Sequence, residues 1–252
     1  MLLPLAVVAA AAGSYAGYAT MAPESQLYGR TLTHGYDSGQ MALTFDDGPN
    51  DPHTLHLLDA LAECDAKATF FLIGKYVRQR PDIVRAIRAA GHVIGNHTDN
   101  HPNLIFVAAG RLRQELESCR KALEDATGEP TLWFRPPFGG RRPNVLRIVR
   151  EAGMEPVMWS VTGFDWSATS SHQIVKKVFG QVDGRGRKQS EIVLLHDGSH
   201  TAFGADRHFT VEATRVLLDR YSVLGKKFVS VAELTRATIG KRDIKDQSSL
   251  IR

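Results

Sequence analysis

Seven short apolar runs punctuate the chain, near 41–45, 68–73, 92–96, 131–135, 156–161, 191–195 and 227–230, and helical patterns separate most of them. Strand-length runs that alternate with helix-length segments favour a parallel sheet covered by helices, because parallel neighbours need long crossover connections. Asp51-Pro52 reads as an N-cap with a first-turn proline before Leu55, Leu58 and Leu61. Pro81 to Ala90 stops at Gly91, and Leu112, Leu116, Cys119 and Leu123 recur at helical spacing. A chain of 252 residues, 43% of them hydrophobic, can bury a full core as one α/β barrel or as two smaller domains. The number of punctuated runs favours one barrel, and no repeat or long low-complexity stretch divides it.

Four of these runs end in ionisable residues. Met41 to Phe45 leads into Asp46-Asp47-Gly48-Pro49, two carboxylates followed by a turn. Neighbours on an extended chain point to opposite sides, but a turn at the strand end lets both reach one pocket, where ligand and base can be divided between them. Alone, Asp-Asp-Gly-Pro would read as an acidic turn. Val93-Ile94 precedes His97 and His101, four apart, which a helical turn would put on one face. Two imidazoles with one carboxylate form a His₂Asp set that leaves a position for water, as catalytic zinc sites require; two surface histidines are the plainer alternative. Leu132 to Phe134 ends in Arg135-Pro136-Pro137-Phe138-Gly139, and Ile192 to Leu195 ends in His196-Asp197-Gly198. In a barrel such strand ends share the rim where active sites are built.

These segments resemble the motifs of the polysaccharide deacetylase family, carbohydrate esterase family four with its nodulation-type deacetylase homology domain, over roughly residues 40 to 235. The family pattern T-F-D-D-G-P is matched at 44–49 and H-[ST]-x-x-H-P at 97–102. R-x-P-x-G is matched at Arg135, Pro137 and Gly139, and L-x-H at Leu194 and His196. D-x-x-D-W is matched in part, with Thr162 where the first Asp is expected and Asp165 and Trp166 kept; Phe138 stands where the family usually has Tyr.

The resemblance implies a distorted (β/α) barrel with about seven parallel strands. It implies a hydrolase that removes N-acetyl groups from an N-acetylglucosamine-type glycan of cell-wall, chitin-like or exopolysaccharide kind. Asp47, His97 and His101 would hold a divalent metal, most simply zinc for two imidazoles and a carboxylate. Asp46 would be the base and His196 the acid, with Arg135 and Asp165 as their supports. The Phe138 backbone N–H would serve the oxyanion, with Pro137, Gly139, Leu194 and Trp166 on the substrate side. Two other functions stay open. A catalytically weak glycan-binding envelope protein fits the missing leading Asp but not the retention of Asp46 and His196. An amidohydrolase acting on a small non-peptide C–N bond fits the barrel but not the apolar N-terminus.

Leu2 to Ala12 is continuously apolar, Ala-, Gly- and Ser-rich residues follow to Thr20, and no Lys or Arg occurs before Arg30. Residues 1–22 read as a signal-like or anchor segment, 23–240 as the catalytic domain and 241–252 as a polar tail. An extracytoplasmic location follows, with membrane attachment through the N-terminus; an apolar helix packed on the barrel is the alternative. The net charge of +4 is small for this length, and no aromatic and basic pattern suggests nucleic acid. No protein partner is expected. Cys64 and Cys119 lack C-x-x-C spacing and read as buried thiols, with a disulfide open if the chain is exported. His34, His53, His56, His92, His172, His200 and His208 lie outside the motifs and read as structural or surface residues. His200 is set apart from these, because the loop from Gly198 to Phe209 could overhang the site. Trp133 and Trp159 read as core, and Asp183 to Lys188 as a solvated basic turn.

Overall fold

A computed structural model describes residues 17–184 and 189–235. Most of the apolar leader, most of the basic turn and the whole C-terminal tail lie outside the described residues. Among the described residues no helix is long and apolar enough to cross a membrane.

Among the described residues nine strand segments form one sheet: β1 (His34–Gly35), β2 (Gln40–Gly48), β3 (Ala68–Leu72), β4 (Val93–Asn96), β5 (Trp133–Phe134), β6 (Glu155–Pro156), β7 (Val161–Thr162), β8 (Ser190–His196) and β9 (Lys227–Phe228). Between them run α1 (His53–Glu63), α2 (Gly74–Gln79), α3 (Pro81–Ala89), α4 (Ala109–Thr127), α5 (Pro143–Glu151), α6 (Ser171–Asp183) and α7 (His208–Val223). All the strand pairings are parallel except β1 with β8. Strand β2 lies between β3 and β8, with β4, β5 and β6 beyond β3. Segments β6 and β7 belong to one extended stretch, 155–162. Its start bonds to β5 (Val157 N–H to Phe134 O, 2.8 Å) and its end to β8 (Ser160 N–H to Ile192 O, 3.0 Å). That double pairing curls the sheet into a distorted barrel, and all seven sequence runs contribute a strand segment to it.

Strand periodicity sorts β2 into two faces. Met41, Leu43 and Phe45 pack outward with Leu57 and Leu61 of α1 and Leu217 and Leu218 of α7. Phe45 stacks on Phe70 of β3 with centroids 5.1 Å apart. Each such fully buried side chain contributes about 1.5–3 kcal/mol of burial free energy. Ala42 points inward, beside Phe71, Val157 and Ile192. Thr44 and Asp46 share that inner face.

The helices follow their sequence signals with one exception. The apolar stripe Leu112, Leu116, Cys119 and Leu123 is the buried face of α4, which stops at Gly128 with φ 74°. Helix α1, however, is not capped by Asp51. Pro52 occupies the N-cap and no side chain caps the first turn, because the Asp51 carboxylate is engaged by Arg80. Cys64 and Cys119 are both free, the latter buried with its thiol donating to Leu72 O.

Candidate active site

The ends of β2, β4 and β8 supply the ionisable side chains of one cleft of about 460 Å³ at the carboxyl rim of the sheet, and the segments after β5 and beside β7 supply its aromatic walls. Asp46 and His196 are directly opposite in the β2–β8 ladder, so their side chains leave the sheet on the same inner side. Asp47 would point the other way on a regular strand. The β2–β3 register shifts between Asp46 and Gly48, and Asp47 takes φ 72°, so the extra residue turns its carboxylate back toward the cleft. The proof of convergence is His97, whose Nε2 lies 3.7 Å from Asp46 Oδ2 and 3.5 Å from Asp47 Oδ1.

His97 and His101 do not lie on a helical turn. The segment after β4 is irregular, and Thr98 and His101 both have positive φ, 66° and 60°. Asn96 accepts from Thr98 N–H, Thr98 Oγ1 accepts from His101 N–H, and Glu115 of α4 accepts from the Asp99 and Asn100 N–H groups. A hydrogen-bonded loop therefore brings the imidazoles to centroids 4.9 Å apart.

Arg135 is fully buried inside the barrel, where Nη1 donates to Asp46 Oδ1 (2.8 Å) and Thr44 Oγ1 (2.7 Å) and Nη2 to Met158 O (2.9 Å). Its guanidinium carbon sits 4.2 Å from the Phe71 ring centroid. Burial pushes the Asp46 carboxyl above its ordinary pKa despite the opposing pull of Arg135. For Asp47 burial also pulls upward, but His200, His101, His196 and His97 outweigh it and hold the carboxyl well below the usual range. Burial lowers His97 to about 4 and His101 to about 3, so both imidazoles are neutral.

The neutral tautomer of His97 is settled by its neighbour. Nδ1 lies 2.8 Å from Arg135 O, a pure acceptor, so Nδ1 carries the hydrogen and Nε2 presents a lone pair to the carboxylates. Asp47 Oδ1 is buried with no hydrogen-bond partner, although His97 Nε2 and His101 Nε2 lie 3.5 and 3.2 Å away. A lone pair aimed at an unsatisfied carboxylate oxygen calls for a cation between them, so Asp47, His97 and His101 fit a divalent metal by chemistry as well as position.

His196 forms the opposite side of the cleft. Its Nδ1 meets Asp165 Oδ1 at 2.8 Å and its backbone N–H donates to Asp165 Oδ2 at 2.7 Å, while Thr210 donates to the same oxygen. Burial alone would lower the imidazole, but Asp165, with Asp47 and Asp46, raises it to about 9. Trp166 stands half exposed with its ring edge-on to His196, centroids 5.2 Å apart. Leu194 and Gly139 line the cleft, and Phe138, at φ 58°, packs edge-on against His101 at 4.6 Å. Pro137 is buried in the same turn.

Residues 35–157 match the family described as polysaccharide deacetylase. A peptidoglycan-N-acetylglucosamine deacetylase of Bacillus cereus is 38% identical over 198 residues, which cover 78% of this chain and 88% of that protein. The chain belongs to the polysaccharide deacetylase family. A chitooligosaccharide deacetylase of Rhizobium leguminosarum bv. trifolii is 37% identical over 164 residues, 65% of this chain and 74% of the relative. The crystal structure of a peptidoglycan N-acetylglucosamine deacetylase agrees with a TM-score of 0.73 at 31% identity, over 81% of this chain and 91% of that one. A CE4 family pseudoenzyme from Bacillus anthracis agrees with a TM-score of 0.70 at 27% identity, over 81% and 68%.

The deacetylase is thus a hydrolase of carbon–nitrogen bonds, and its cleft is also lined by residues that the motifs did not indicate, among them His200, Trp159 and Arg207. His200 is a site residue, not a surface histidine. Its ring stacks on His101 at 4.5 Å and its N–H donates to Asp47 Oδ2 at 3.2 Å. Ligand atoms of Asp47, His101 and His200 lie within 4.8 Å of one another, which makes His200 a further candidate ligand. The loop after His196 was the only sequence signal for it. Trp159 packs against the inner core cluster, as its apolar run implies, and also forms a wall of the cleft, because the stretch 155–162 crosses from β5 to β8 at this point. Arg207, from the same loop as His200, also lines it. Thr162 is absent from this lining. It sits opposite Leu194 in the β7–β8 ladder, with Oγ1 accepting from Phe164 N–H, on the wall of a neighbouring cavity.

Proposed function

We propose that this deacetylase hydrolyses the acetamide of N-acetylglucosamine units in a cell-wall glycan or chitin-like oligosaccharide, outside the cytoplasm, with a divalent metal held by Asp47, His97 and His101. The observation that carries the reading is the pairing of a base and an acid across one cleft. Asp46 is anchored by Arg135 and made more basic by burial, and His196 is kept protonated by Asp165. The metal, most simply zinc, supplies Lewis-acid polarisation of the acetyl carbonyl and lowers the pKa of a water.

Asp46 accepts a proton from the attacking water, and its bond to Arg135 leaves the second oxygen, Oδ2, facing His97 and the cleft. The Phe138 N–H donates to the oxyanion that develops on the acetyl carbon. His196 gives its proton to the departing sugar amine, so acetamide and water become acetate and a free amine. Trp166 walls the sugar beside His196. The relatives named for peptidoglycan and the apolar run Leu2 to Ala12 support the extracytoplasmic location.

Acetate release across purified N-acetylated peptidoglycan, chitin oligomers and exopolysaccharide tests the reading. Turnover on at least one of them, abolished by exhaustive chelation and restored by zinc or cobalt, is expected. No acetate from any glycan by the metal-loaded protein would overturn it.

A further inference from the structure

Arg141 is 1% exposed and does not line the cleft. Among the described residues its side-chain hydrogen bonds all end on main-chain carbonyls. Nη1 donates to Gly139 O (3.1 Å) and Thr20 O (3.4 Å), and Nη2 to Ala22 O (2.5 Å), Ser25 O (3.0 Å) and Pro23 O (3.5 Å). Its own backbone N–H adds a second bond to Thr20 O, at 3.3 Å. Burying a guanidinium is costly unless its donors are satisfied, and several carbonyls converging on the planar fork satisfy them. Residues 20–25 therefore wrap around the charge as a strap, and the other carbonyl of the set, Gly139 O, belongs to the turn that follows β5.

That turn carries Phe138. Phe138 and Gly139 have consecutive positive φ, 58° and 69°, while Gly139 N–H donates to Pro136 O (2.9 Å) and Gly140 N–H to Pro137 O (3.0 Å). The Pro137–Phe138 peptide is trans, so its C=O and N–H point opposite ways, and the bond from Gly140 to Pro137 O fixes the heading of the Phe138 N–H. A phenylalanine in the left-handed region persists only where its surroundings hold it there. The guanidinium is one of those holds. It pins the Gly139 carbonyl directly, and it pins Gly140 between that carbonyl and the Arg141 N–H bonded to Thr20.

We infer that Arg141 is a positioning residue for the deacetylation step and that residues 20–25 are the strap through which it acts. The strap holds the guanidinium, the guanidinium holds the Gly139 turn, and the turn aims the Phe138 N–H at the oxyanion. The inference rests on the proposed reaction, because the oxyanion is formed only there. A donor that serves a transition state must be held in place before the charge develops, so a turn left free to reorient loses turnover and not ground-state binding. Lysine at 141 would keep the charge but not the planar fork that reaches the strap and the turn at once.

The test uses the full chain loaded with metal, with Arg141→Ala and the milder Arg141→Lys. Acetate release from N-acetylglucosamine oligomers is measured per bound metal, and backbone hydrogen exchange is followed in residues 20–25 and 138–140. In Arg141→Ala kcat per metal should fall about 10²-fold, the loss typical of a misplacement of about 1 Å, with KM and metal content at the parent's values. Added guanidinium should raise kcat again, Arg141→Lys should show a smaller loss of the same kind, and exchange should quicken in both segments together. If Arg141→Ala does not fold, Arg141→Lys decides alone by the same split between kcat and KM. Parental kcat per metal in the folded variant, or a loss carried by KM or metal content that guanidinium leaves untouched, overturns the positioning role and leaves the deacetylase reading standing. A parent that releases no acetate overturns the proposed reaction instead. Quickened exchange in both segments of the variant then sustains Arg141 as the link between strap and turn, and quickening confined to residues 20–25 overturns it.

Discussion

At the scale of single residues, the adjacent carboxylates Asp46 and Asp47 occupy different environments. Asp46 is bound to a buried guanidinium and Asp47 faces imidazoles, so the same side chain becomes more basic in one place and less basic in the next. Asp46→Asn should therefore keep the metal and lose about 10²- to 10⁴-fold in turnover, whereas Asp47→Asn should lose both. Elemental analysis of the two variants checks this, and equal metal loss would refute the division. His196 can donate only while protonated, below its raised pKa of about 9, and Asp46 can accept only above its own raised value. Activity should be bell-shaped in pH. Asp165→Asn removes the negative charge that raises His196, so the alkaline limb should move to lower pH; a profile that overlays the parent would mean that Asp165 only holds the loop. Thr162→Asp, outside the cleft, should leave that limb in place and act on KM.

At the scale of elements, the end of β2 works because the chain leaving β8 packs tightly against it. A Cβ on Gly48 would lie 2.1 Å from Asp197 Oδ2, and a Cβ on Gly198 2.2 Å from Asp47 O. Asp197 is itself buried, pushed up to about 7 by burial and bonded to Thr54 of α1, so it has no room to withdraw. Gly48→Ala should cost about 1–3 kcal/mol of stability through overpacking and lower the metal content with it, since Asp47 is the next residue. Thermal unfolding and metal analysis of the variant test this; an unchanged melting temperature would show that the strand end yields. The seven strand runs and the α4 stripe were legible in sequence because their burial follows a regular period. The loop that carries His97 and His101 was not, and a helical turn was expected in its place, because spacing of four cannot distinguish a helix from a loop closed by Asn96, Thr98 and Glu115.

At the scale of the whole molecule, Arg135 ties the barrel interior together. From β5 it reaches Thr44 and Asp46 of β2 and the carbonyls of Val157 and Met158 in the stretch that completes the sheet. Arg135→Met leaves the Asp46 charge buried without a partner, and should cost about 3–5 kcal/mol as well as turnover. Denaturant unfolding measures it, and a loss below 1 kcal/mol would mean the pair is dispensable to the fold. The sequence by itself determined the alternating architecture, the family and the rim positions of Asp46, Asp47, His97, His101, Arg135, Asp165 and His196, because period and motif spacing are properties of neighbouring residues. Tertiary structure alone decided that Asp47 turns back into the cleft, that Trp159 is a wall and that His200 stacks on His101. Each of those depends on a register shift, a strand that changes partners or a loop folding over the rim, and long-range packing of this kind leaves no period in the chain.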